Sequence, residues 1–200
     1  IYVGPGSDNC VINNSVFDGN HIVDSYELPD NDKMDYFTPF DTAERVVLSE
    51  YGLTIDSFGY GGAVYFAAFN ATVVDSNFTY NSAENGGAFF VAANSGDTVI
   101  NRSVFKYNVA LERGGAVNLN ASAVHIDDSI FNYNEAINGS AVYVGGEGTH
   151  NMIHGSTFEG NNASNYGGAI YWIAYAGEMV NSSFFSNNAV YGGAIYFNGR

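Results

Sequence analysis

Apolar and polar positions alternate along this chain in short bursts, and the bursts recur. In "GGAVYF", "GGAFFV", "GGAVNL", "GSAVYV", "GGAIYW" and "GGAIYF", starting at Gly61, Gly86, Gly114, Gly139, Gly167 and Gly192, the fourth and sixth residues are always apolar. A period of two predicts a strand with those positions inward and the fifth outward. The fifth reads Tyr65, Phe90, Asn118, Tyr143, Tyr171 and Tyr196, an outward aromatic stripe with one gap. The third residue is Ala in every copy; counted on the outward face, it predicts a loop packed closely over it.

A second burst, Ser-x-Phe-x-x-Asn, alternates with the first. Its Ser are 15, 76, 103, 129, 156 and 183, its Phe 17, 78, 105, 131, 158 and 185, and its Asn Asn20, Asn81, Asn108, Asn134, Asn161 and Asn188. Five residues before each Phe stands Ile12, Val73, Ile100, Ile126, Ile153 or Val180. After one long gap the repeat length is about 27 residues. Two β-rich runs per unit, Asn/Gly turns between them and no 3.6-residue period predict an all-β fold, a parallel β-helix of about six coils. Ordering one coil costs roughly 27–54 kcal/mol at about 1–2 per residue, while burying one Phe returns about 1.5–3. A coil cannot stand alone, so neighbours share one core. Within it the Ser are expected as buried hydroxyls bonded to a carbonyl or to the next coil's Ser. The Asn are expected as a turn ladder, left-handed in backbone and amide-bonded coil to coil.

Composition narrows the function. Twenty-one acidic against six basic residues give a net charge of −15, which excludes a nucleic-acid partner. No apolar run reaches bilayer length, so no membrane contact is expected within this segment. Cys10 is the single cysteine, so packing rather than disulfides or a cysteine metal site must hold the fold. Eight Asn-x-Ser/Thr sequons, at Asn13, Asn70, Asn77, Asn101, Asn120, Asn138, Asn162 and Asn181, are glycosylation candidates if the chain is secreted. None of the six ladder Asn lies in one. "IYV" at 1–3 aligns with "VYV" at 142–144, so the chain starts and stops inside a coil. Residues 1–200 are therefore read as one β-helix segment, uncapped at both ends, of a longer protein.

Between Asn20 and Gly61 an acidic lateral insertion, residues 21–59, leaves the helix. It carries nine carboxylates and is read as a solvated loop with a short helix near 42–51. Asp30, Asp32, Asp35 and Asp41 echo a calcium loop, but Met34 and Asp35 replace a ligand and the turn glycine. Ca²⁺ there is the one cofactor considered; otherwise none is expected. His150 and His154 are read as surface residues. Asp75, Asp127 and Asp128 beside Arg102 are the regular-coil carboxylates that could serve an enzyme, and read more simply as register pairs.

The "GGAI" pairs at 167–170 and 192–195 and the six Phe-x-x-Asn copies resemble the chlamydial polymorphic outer-membrane proteins. The "NSxFxNNxAxxGGAIY" cadence resembles adhesin-like repeat proteins of methanogenic archaea, and the likeness covers all but the acidic insertion. The resemblance implies a right-handed β-helix, extracellular at the cell surface, acting in adhesion or in a surface fibre, and supplies no catalytic residues. Cys10 departs from such repeats, which often place Cys at the Ser position. The function expected is an adhesin-like β-helix, not an enzyme, binding glycans or other cell-surface proteins through the aromatic stripe and insertion. A carbohydrate-active β-helix lyase or hydrolase and a purely structural filament element are the alternatives.

Overall fold

A computed structural model describes residues 1–20, 59–93, 95–145 and 148–199. Residues 21–58 of the acidic insertion, with its nine carboxylates, the short helix expected near 42–51 and the calcium candidates Asp30, Asp32, Asp35 and Asp41, lie outside the described residues.

One coil shows how the sequence turns. Strand Thr72–Val74 ends at Asp75 (φ 50°), strand Asn77–Thr79 ends at Tyr80 (φ 54°), and strand Ser82–Asn85 ends at Gly86 (φ 64°). Strand Phe89–Val91 then leads to Val99–Asn101, the next coil's first strand. Left-handed backbone at each corner bends the chain without breaking the ladder on either side. Every strand pairs in parallel with its equivalent one coil away, giving sheets of six, six, four and seven strands. The fold is thus a parallel β-solenoid of about five turns, about 27 residues each. Tyr2 and Val3 pair with Tyr65 and Phe66, where the "IYV" alignment puts them.

Identical residues stack inside. Rings of Phe17, Phe78, Phe105, Phe131, Phe158 and Phe184 follow one another at 4.7–4.9 Å, within 3–7° of parallel. Ile12, Val73, Ile100, Ile126 and Ile153 stand in register beside them and continue to Met179. Fourth and sixth positions of the glycine-led strands close the core, from Val64 and Phe66 to Ile170 and Trp172, all nearly inaccessible.

The polar ladders use every atom. Ser76 Oγ donates to the Val74 carbonyl and accepts the Ser15 amide; Ser103, Ser129 and Ser156 repeat the pattern. Asn108 Oδ1 accepts from both the amide and the Nδ2 of Asn81. Asn108 Nδ2 donates to the Phe78 carbonyl and to Asn134 Oδ1. Two acceptor sites and two N–H groups are all satisfied, which is what makes a buried amide tolerable.

Three expectations are corrected. The last ladder residues are Ser182, Phe184 and Asn187, not Ser183, Phe185 and Asn188: Phe158 pairs with Phe184, and Asn161 bonds Asn187. "SSFFSNN" doubles each residue type, so two registers look alike, and the 26-residue step is the one that stacks. The ladder Asn do not take the left-handed conformation. It falls on the residue before, Gly19, Tyr80, Tyr107, Tyr133, Gly160 or Ser186, leaving the Asn amide N–H aligned with the next coil. The third-position alanines Ala63, Ala88, Ala116, Ala141 and Ala169 belong to the core cluster rather than an outer face, because the strand proper starts one residue later.

The second glycine has a different duty from the first. A Cβ at Gly87 would lie 2.1 Å from the Gly115 carbonyl oxygen and 2.4 Å from that of Val109. At Gly87 a side chain would have to displace that backbone; the equivalent position of one coil does carry one, Ser140, whose hydroxyl donates to the Gly168 carbonyl.

Candidate functional site

With the Ser and Asn ladders satisfied and the apolar columns stacked, the outer faces are where recognition chemistry can lie. The predicted stripe forms a column: Tyr2 stacks on Tyr65 at 5.3 Å, Tyr65 on Phe90 at 5.4 Å, and Tyr143, Tyr171 and Tyr196 follow at 5.5 and 5.4 Å beyond Asn118. Its middle is closed, since Phe90 and Tyr143 are each only 5% exposed and Asn118 1%. The cover is a second column, the residue before each glycine pair: Tyr60, Asn85, Arg113, Asn138, Tyr166 and Tyr191 in register. Tyr60 lies 4.6 Å from Phe90, the Arg113 guanidinium 5.4 Å from the Tyr143 ring centre, and Tyr166 4.7 Å from Tyr196. Burial raises the phenol pKa of Tyr65, Tyr143 and Tyr171 above the ordinary value. Those hydroxyls stay neutral. Tyr65, Tyr171 and Tyr196 remain half-buried; the stripe is in large part a packing seam with open ends.

A different aromatic column is open. Tyr80, Tyr107 and Tyr133 are 58%, 42% and 45% exposed and stack at 5.1 and 5.4 Å, within 10–11° of parallel. All three are left-handed, at φ 54–55°, an unusual state for a bulky residue that costs about 1–2 kcal/mol each. Adjacent coils fill the same corner with Gly19 and Gly160. Two stacked pairs return about 0.5–1.5 kcal/mol each, which offsets part of that cost. Beside them on the outer face of the Phe strands, in register, run Thr79, Lys106 and Asn132. Asp18 and Glu159 occupy that row in the two glycine coils. The row and the ridge are therefore bounded to the same three coils. Thr79 Oγ1 donates to Asp18 Oδ1, and Asn132 Oδ1 is buried without a hydrogen-bond partner. The ridge lies outside the predicted stripe, yet its signal in the sequence is plain, "TYN", "KYN" and "NYN" against "DGN" and "EGN".

The sequon asparagines separate from the ladder. Asn13, Asn70, Asn77, Asn162 and Asn181 are exposed and Asn101, Asn120 and Asn138 half-buried, whereas Asn81, Asn108, Asn134 and Asn161 are fully buried. Arg102 makes a bidentate pair with Asp75 at 2.8 Å and sits one coil from Asp128. The Arg102 guanidinium holds the Asp75 carboxyl below its ordinary range. Asp127 lies one strand back, in the aliphatic sheet. His150 is exposed, His154 approaches Asn181 Nδ2 at 3.4 Å, and Cys10 donates to the Ser7 carbonyl. Among the described residues no group of three or more His, Cys, Asp or Glu is placed to hold a metal.

The family model of the Chlamydia polymorphic membrane protein repeat matches residues 155–171, which hold both "TFEGN" and "GGAI". The chain thus carries a repeat similar to that family's, on the motifs that suggested it. No curated protein and no solved structure matches the chain.

Proposed function

We propose that this chain is an adhesin-like β-solenoid, extracellular at the cell surface, which holds glycans or partner surface proteins on its outer face without chemical turnover or a cofactor. The observation that carries the reading is the division of labour in the three coils of the open ridge. Ser, Phe and Asn are consumed by stacking, while tyrosines that packing does not need stand open outside. A solenoid gives such a face length and repetition, which suits attachment. The repeat model that residues 155–171 match is named for a polymorphic membrane protein of Chlamydia, and five exposed sequons suit a secreted chain. The carboxylate nearest to an enzymic arrangement, Asp75, is neutralised by Arg102 in an exposed ion pair, which favours the register role over acid catalysis.

The test is incubation of the purified chain with neutral and acidic polysaccharides and with cell surfaces. Retention without new reducing ends is the expected result. Release of reducing ends or unsaturated products would replace adhesion by the carbohydrate-active alternative. A chain that is retained by none of these surfaces would leave only the filament role.

A further inference from the structure

We infer that the ridge of Tyr80, Tyr107 and Tyr133, with Thr79, Lys106 and Asn132 beside it, is a binding site for an extended, neutral, β-linked glycan lying parallel to the solenoid axis; this rests on the adhesion reading and names its ligand.

The geometry sets the class. Because the rings stack on one another at 5.1 and 5.4 Å, their faces are occupied and what they offer outward is a row of edges and phenol hydroxyls. A row of donor-acceptor hydroxyls at that interval matches a polymer that presents hydroxyls once per residue, and the step is close to the advance of one β-linked pyranose unit. Flat stacking of a single sugar on one ring is not what this surface provides. The neighbouring row adds the Lys106 ammonium and the hydroxyl of Thr79.

Charge decides against a polyanion. The chain carries −15, and Asp18 and Glu159 close the row at both ends, so an acidic polysaccharide long enough to cover the three coils would meet a carboxylate at each end. Lys106 is the only cation in the row. Backbone conformation marks the same three coils: each keeps a bulky residue at a corner where its neighbours use glycine.

The experiment is isothermal titration of the folded chain with cellohexaose, N-acetylchitohexaose and polygalacturonate. It is repeated on Tyr80→Gly/Tyr107→Gly/Tyr133→Gly and on Tyr171→Ala/Tyr196→Ala. Glycine is the residue the flanking coils already use, so the triple variant should fold, which circular dichroism and thermal melting check. A neutral hexasaccharide should bind the parent, weaken at least tenfold in the triple variant and change less than twofold in the Tyr171/Tyr196 variant. Equal binding by the triple variant would overturn the ridge as the site and leave adhesion standing. Binding of polygalacturonate alone, or attachment only to protease-sensitive surface proteins, would overturn the ligand class with adhesion intact. No retention on any glycan or cell surface would overturn both.

Discussion

At the residue scale, stability is concentrated in atoms that have no alternative partner. Asn134 Oδ1 accepts from the Asn108 amide and side chain, and its Nδ2 serves the Phe105 carbonyl and Asn161. Asn134→Ala strands these groups in a dry interior at about 1–3 kcal/mol for each one left unsatisfied, so a loss above about 3 kcal/mol is expected in denaturant unfolding. Asn188→Ala should change stability by less than about 0.5 kcal/mol, because Asn188 is exposed and its side chain reaches only Asn162. Equal effects of the two would return the ladder to the register read from the repeat alone.

At the scale of the element, the glycine pair governs how closely coils approach. Gly87→Ala should lower the melting temperature, since its Cβ would enter van der Waals overlap with two carbonyl oxygens and the backbone must shift to admit it, as the coil carrying Ser140 does. Gly193→Ala has its nearest neighbour at 3.6 Å and should fold normally; comparing their melting temperatures separates close approach from mere loss of a flexible residue. The elements were largely legible in the sequence because period-two alternation and Asn/Gly corners repeat together. Two parts were not. The doubled "SSFFSNN" holds two registers with equal chemistry, which only stacking distance resolves. Burial of Phe90 and Tyr143 depends on Tyr60 and Arg113, residues that look unrelated because the turn before each glycine pair varies in length. The tyrosine ridge, in contrast, was written beside the ladder Asn; the exposure that singles it out comes from the corner conformation, which no residue type announces.

At the scale of the whole molecule, charge and burial act on the same side of the pH axis. Burial raises the carboxyl pKa of Glu135, and burial with the neighbouring Glu112 carboxylate raises that of Glu84. A folded-state pKa above the unfolded value means the folded chain binds protons more tightly, so stability grows as pH falls from neutral toward the ordinary glutamate value of 4.5 and is lost as pH rises again. Self-repulsion at −15 relaxes over the same interval. The lowered Asp75 carboxyl opposes this only at lower pH, where its pair with Arg102 is lost. The melting temperature should therefore rise between pH 7 and about pH 5, and Glu135→Gln should flatten the rise; a midpoint that falls steadily across that range would contradict the assignment.

The proposed adhesion depends on surfaces that exist only when coils are stacked. The most direct measurement is attachment of beads coated with the parent chain or with Asn108→Ala/Asn134→Ala, which removes the buried inter-coil amide bonds, to a neutral polysaccharide film under flow. Parent beads are predicted to hold and Asn108→Ala/Asn134→Ala beads to wash off, with no reducing ends released from the film. Equal retention of the two, or cleavage of the film, would contradict a binding face built by the solenoid.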